Sequence, residues 1–178
     1  LGDKDNASAT PLDTVTGYGT IGDTFTAESK SLDGYTIVPN QTLDKTITVT
    51  PSQNVINVYY YKNVTLTAKD ANKAYDGTAL TQPDFEVSGA DKSEFTVVMT
   101  ADSAQTEVGM HYNRIGKVNN TAIGAPSTTP TAIGNYMVTT VDGLLTVSQD
   151  ATPIIITANS NEKTYNGTAL TDNGYTYT

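Results

Sequence analysis

The stretch Val64–Thr81, VTLTAKDANKAYDGTALT, recurs ninety residues on as Ile154–Thr171, IIITANSNEKTYNGTALT. Nine of the eighteen positions are identical, and Val64/Ile154 and Leu66/Ile156 exchange one aliphatic residue for another. The shared centre is K-x-Y-[DN]-G-T-A-L-T. A fixed period of this size confines the chain to an array of similar units. It reads as a piece of a long modular rod, and the repeat does not itself say what the rod touches.

The units are made of strands. In Val64–Ala68, Val64, Leu66 and Ala68 fall on one face and Thr65 and Thr67 on the other, the period-two pattern of a half-buried strand. Phe95–Thr100 places Phe95, Val97 and Met99 inward in the same way. Thr46–Thr50 alternates Ile47 and Val49 with threonines, and Asn54–Tyr61 is β-branched and aromatic. Asn135–Thr140 and Leu144–Ser148 flank Val141-Asp142-Gly143, a spacing that predicts a hairpin closed by an Asp-Gly turn. Helical spacing is confined to Asp23–Leu32, where an irregular strand competes with a helix. Gly116–Thr131, with two prolines and two glycines, predicts a loop.

Composition agrees with this pattern and narrows the function classes. Thirty-two threonines and eleven tyrosines, with no Trp, suit half-buried strands. A net charge of −9 argues against nucleic acid and against an anionic membrane surface as partners. No run approaches the length of a membrane-spanning helix, which argues against membrane insertion. The absence of cysteine, beside this acidic and Thr-rich composition, suits the outside of a Gram-positive bacterium.

Two resemblances cover nearly the whole chain. Gly17–Asn63 carries Gly19, Gly22, Asp23, Phe25, Gly34, Tyr35, Val49, Asn54, Ile56, Val58 and Tyr60 in the order G-x-x-G-D-x-F, D-G-Y, then N-x-I-x-V-x-Y. This resembles the MucBP (mucin-binding-protein) repeat of Gram-positive adhesins. The resemblance implies a β-grasp-like first domain, with only Leu1–Asn6 left of its usual first strand. The second unit is similar to the MBG/YDG-type repeats of bacterial surface proteins. Their name-giving triplet stands here as Tyr75-Asp76-Gly77 and again as Tyr165-Asn166-Gly167. The expected division is a MucBP-like domain at 1–63, shortened at its N-terminus, a complete MBG-type repeat at 64–153, and the start of a second at 154–178. The fold class is mainly β: tandem small β-domains in an elongated array, the second a β-sandwich or grasp-like.

The triplet has a structural reading. Asp or Asn before Gly supplies a tight turn with positive φ, and the preceding tyrosine would bury its ring while its hydroxyl reaches the backbone. Tyr59 and Tyr61 flank Tyr60, the resemblance's core position, so they show on the other strand face and are the candidate binding residues. Catalytic and metal sites are not expected. The single histidine, His111, reads as a surface or loop residue without an elbow motif nearby. One His and no Cys disfavour zinc, and Asp3-Lys4-Asp5-Asn6 lacks the full calcium-loop pattern. Gly17–Gly22 (GYGTIG) is not framed by a strand and a helix as a phosphate loop requires. Lys73 and Lys163 recur with the repeat and are the lysines to test for an isopeptide cross-link.

The expected function is therefore a non-enzymatic adhesin fragment, extracellular and cell-wall-attached, without cofactor. Its expected ligand is host mucin glycan or another extracellular glycan or protein. The alternatives are a passive stalk that projects a distal domain, and an accessory region of a secreted glycan-active enzyme. Residues 154–178 cannot bury a core of their own. They are expected to be ordered by docking on a neighbouring domain or molecule, strand addition included.

Overall fold

A computed structural model of the chain describes residues 11–124 and 129–178. The expectations placed on Leu1–Asn6, and the middle of the polar stretch at 125–128, lie outside these residues. The protein is mainly β. Its strands are β1 (Thr24–Thr26), β2 (Tyr35–Ile37), β3 (Asp44–Thr46), β4 (Tyr60–Ala68), β5 (Ala71–Ala74), β6 (Phe85–Ser88), β7 (Val97–Met99) and β8 (Gly109–Asn113). There follow β9 (Ile115–Val118), β10 (Thr121–Ala122), β11 (Thr131–Ile133), β12 (Tyr136–Val141), β13 (Gly143–Ser148), β14 (Ile156–Ala158) and β15 (Tyr175–Tyr177). Among the described residues the helical content is two single 3-10 turns, Pro51–Gln53 and Lys92–Glu94. Asp23–Leu32 holds the short strand β1 and no helix. The chain divides into two compact units, Leu1–Ser148 and Gln149–Thr178. The boundary expected at 63/64 falls within β4.

The core forms where alternation is strictest. Val64, Leu66 and Ala68 of β4 are buried, and they pack with Val138 of β12, Phe95, and Ile115 and Val118 of β9. Phe95, Val97 and Met99 face this cluster while Val98 is exposed, as the pattern predicts. Residues 11–63 contribute no buried side chain. In that stretch β1 pairs with β3, and β2 pairs antiparallel with the start of β4. The run Thr46–Thr50 leaves the strand pattern after Thr46, and Val49 is exposed. The reason is Pro51, which starts a 3-10 turn that the Asn54 side chain closes. Its Oδ1 accepts from Thr48 N at 2.9 Å and its amide donates to Thr48 O at 2.8 Å. The predicted strand Asn54–Tyr61 is accordingly reduced to its last residues, Tyr60 and Tyr61.

The Asp-Gly hairpin is not formed. β12 runs parallel to β4, Val138 opposite Val64, whereas β13 lies between β5 and β8 in a different sheet. Asp142 is the corner at which one long strand passes from sheet to sheet. β4 passes to β5 through Lys69-Asp70, and β8 to β9 through Arg114. The three corners interlock. Arg114 Nε donates to Asp142 Oδ2 at 2.9 Å, Leu144 N to Asp70 Oδ1 at 2.7 Å, and the buried Asn113 amide to Lys69 O and Gln82 O at 2.9 and 2.8 Å. Gly143 is required by proximity rather than by φ, because a Cβ there would stand 2.5 Å from Ala68 O and 2.6 Å from Lys69 O.

Part of the predicted loop Gly116–Thr131 is instead a hairpin, β9 to β10, turning through Asn119 (φ 47°) and Asn120 (φ 64°). Two successive residues with positive φ suit a two-residue turn, and Asn tolerates that region.

In the smaller unit, β14 pairs antiparallel with β15. Every side chain there is exposed, Ile154, Ile155 and Ile156 included.

Candidate functional site

The outward face of β4 carries Tyr61, Asn63, Thr65 and Thr67, because side chains two apart share a face. The registers place Thr36 of β2 opposite Tyr61, Met137 and Thr139 of β12 opposite Asn63 and Thr65, and Ser88 of β6 opposite Thr65. Of these, Thr36, Asn63, Thr65, Ser88, Met137 and Thr139, together with Val64, Gly89 and Pro130, line a shallow cleft of 210 Å³. Gly89 brings its edge close, for a Cβ there would lie 2.6 Å from Asn63 O. Thr36 Oγ1 donates to Asn63 Oδ1 at 2.7 Å, which orients the amide.

The lining is hydroxyl, amide and thioether, and among the described residues it includes no charged side chain. Such a surface can exchange hydrogen bonds with neutral donors and acceptors over an apolar floor. Tyr61 is half-buried and stands two residues from Asn63 on the same strand. Tyr59 lies just before β4 and is pinned by Gln41, whose Oε1 accepts from Tyr59 N at 2.6 Å and whose amide donates to Tyr59 O at 2.9 Å. Neither tyrosine lines the cleft itself. Asn63, Thr36, Ser88 and Thr139 were not singled out from sequence. The available signal was the polar half of each alternating run.

The repeat triplets form a second constellation. Gly77 and Gly167 carry φ of 76° and 81°. Asp76 Oδ1 accepts from Thr78 N and Oγ1 at 2.9 and 2.8 Å, and Asn166 Oδ1 does the same for Thr168 at 3.2 and 2.8 Å. Lys73 Nζ reaches Asp76 Oδ1 at 2.6 Å and Thr78 O at 2.5 Å, holding the Asp76 carboxyl well below the usual carboxylate range. Lys163 Nζ bonds Thr168 Oγ1 at 2.5 Å and Ala169 O at 3.0 Å. The tyrosine expectation is corrected: Tyr75 is 40% and Tyr165 91% exposed. The lysine ties down the turn, so no buried ring is needed.

Of the two readings of His111, surface or loop, the loop is corrected, and the His111 side chain is 37% exposed. It lies in β8, half-buried opposite Leu145, with Nε2 lacking a hydrogen-bond partner and 3.8 Å from Asp102 Oδ2. Nearby, the Ser103 hydroxyl is committed, accepting from Arg114 N at 2.9 Å and donating to Arg114 O at 3.2 Å. Among the described residues no three of His, Cys, Asp and Glu converge as a metal site, and no helix is long and apolar enough to cross a membrane. No protein-family model, curated protein or solved structure matches the chain.

Proposed function

We propose that this chain is a non-enzymatic segment of a Gram-positive cell-surface adhesin that binds neutral extracellular glycan chains, those of host mucin first among them. The observation that supports this reading is the uncharged Thr36–Asn63–Ser88–Thr139 cleft with Tyr61 on the same strand face. Hydroxyls and one oriented amide match the alternating donors and acceptors of a sugar, and a tyrosine adds rigid contact area at low entropic cost. The net charge of −9 disfavours sialylated or sulfated chains at long range. The MucBP-like and YDG-type motifs support the cell-surface setting.

A mucin and glycan array tests the reading with the intact chain beside Tyr61→Ala and Asn63→Ala. Saturable binding to neutral glycans is expected. Loss of the Asn63 amide removes about 1 kcal/mol of hydrogen bonding, or about fivefold in affinity. No binding by a folded chain would overturn the adhesin reading. The stalk reading would then lead, supported by the repetition of one turn geometry at Lys73–Thr78 and Lys163–Thr168.

A further inference from the structure

The chain contains two Asn-Gly steps, Asn166-Gly167 and Asn173-Gly174. At such a step the glycine nitrogen can attack the preceding side-chain amide, because glycine has no Cβ to obstruct the approach. The structure treats the two steps differently. Gly174 is held on both sides: its N donates to Asp172 Oδ1 at 2.7 Å and its O accepts from Asn159 N at 3.0 Å. Gly167 is exposed, and among the described residues its N donates no hydrogen bond. Asn166 Oδ1 accepts from Thr168 N at 3.2 Å and from Thr168 Oγ1 at 2.8 Å, while its Nδ2 is unpaired. Those two donors stand where charge develops when a nucleophile adds to Cγ, and the unpaired Nδ2 is the group that leaves. Both conditions belong to the repeat itself. In the larger unit Asp76 and Gly77 of the equivalent turn are exposed as well, and Asp84 N, the counterpart of Gly174 N, is held by Gln82 Oε1 at 3.1 Å.

The first turn shows what the reaction gains. Lys73 Nζ meets Asp76 Oδ1 at 2.6 Å and Thr78 Oγ1 at 2.7 Å. Lys163 Nζ bonds Thr168 Oγ1 at 2.5 Å and Ala169 O at 3.0 Å, with no bond to the neutral Asn166 side chain. We propose that Asn166 is a self-modification site, which the chain converts to aspartate through a succinimide, giving the second turn the lysine–carboxylate clamp of the first. The Gly167 N–H gives its proton to hydroxide, and the nitrogen bonds to Asn166 Cγ. The Cγ–Nδ2 bond breaks, and Nδ2 takes a proton from water and leaves as ammonia. Water then adds at Cγ and breaks the new N–Cγ bond, which restores the Gly167 N–H and leaves a carboxylate. Addition of water at the Asn166 main-chain carbonyl instead gives isoaspartate, with a longer backbone. The Lys163 ammonium favours the first opening because it stands beside the carboxylate that forms there.

The test incubates the intact chain in mildly alkaline buffer, folded and in guanidinium chloride, and follows both asparagines by peptide mapping with fragment mass spectra. In the folded chain Asn166 is expected to convert about fivefold faster than Asn173, the effect of one hydrogen bond on Gly174 N. In guanidinium chloride the two are expected to convert at similar rates, and in the folded Asp172→Ala chain the gap is expected to close. The same ratio folded and denatured would overturn the site, as would faster conversion at Asn173 in the folded chain. An isoaspartyl methyltransferase assay then reads the product. A larger aspartate share in the folded chain than in the denatured one is expected, and an equal or smaller share would overturn the clamp. In an Asn166→Asp chain the new carboxylate is expected to titrate below the usual carboxylate range, as Asp76 does beside Lys73, and to return to that range when Lys163→Ala is added. An ordinary titration in the single variant would also overturn the clamp.

Discussion

Gly143 and Tyr136 show how single residues hold this fold. At Gly143 the obstacle to a side chain is backbone: two carbonyl oxygens within 2.6 Å of the position a Cβ would take. Backbone cannot rotate away as a side chain can, so Gly143→Ala is expected to cost about 2–3 kcal/mol, in the upper part of the overpacking range, read from urea unfolding. Sequence inspection singled out this glycine as half of an Asp-Gly turn, which is the right residue for a different reason, because close approach and positive φ leave the same letter. Tyr136 packs its ring 5.2 Å from Phe95 and donates its hydroxyl to Glu94. That carboxylate, foremost, and partial burial push the phenol up to about 12, against about 10 in an unfolded chain. The folded state therefore keeps a proton that the unfolded state loses. The stabilisation is complete below pH 10 and is lost as pH rises through 12. Tyr136→Phe is expected to remove this component, so the gap in melting temperature between wild type and variant should narrow from about pH 10 to about pH 12.

Among the elements, strands were legible and their partners were not. Val64–Ala68 and Phe95–Met99 follow their alternation because one face meets the core. Pairing is a long-range property: β12 finds β4 some seventy residues away and in parallel, which no local turn signal encodes. The Asp-Gly pair suggested the nearer partner, and the interlocked corners at Asp70, Arg114 and Asp142 show why that partner loses. The β9–β10 hairpin was masked by the prolines and glycines around it, although Asn119-Asn120 is a two-residue turn signal. Because Asn120 sits at φ 64°, Asn120→Ala is expected to destabilise the chain by about 1 kcal/mol and Asn120→Gly by less. Equal losses in urea titrations would mean that the side chain, not the backbone conformation, matters there. The cleft was the least legible feature, since Thr36, Asn63, Ser88 and Thr139 come from separate elements and each looks like an ordinary polar strand position.

Across the whole molecule, one sequence motif stands in two environments. Leu66 and Ile156 are equivalent in the repeat and in strand register, yet Leu66 is 0% and Ile156 69% exposed. The strand-pair register and the bonds from Thr78 and Thr168 to the preceding Asp76 and Asn166 recur in both copies, so local sequence dictates the strand pair and the triplet turn. Long-range strands such as β12 and β9 decide whether the pair becomes core. The energetic consequence is a large asymmetry between equivalent positions. Leu66→Ala removes a fully buried side chain packed by Val64, Val138 and Ile115, and is expected to cost about 2–5 kcal/mol of transfer and cavity energy. Ile156→Ala removes a side chain that water already reaches, and is expected to change stability by less than about 0.5 kcal/mol. Urea titrations of the two variants check both values. Similar losses at the two positions would mean that Ile156 is covered in solution.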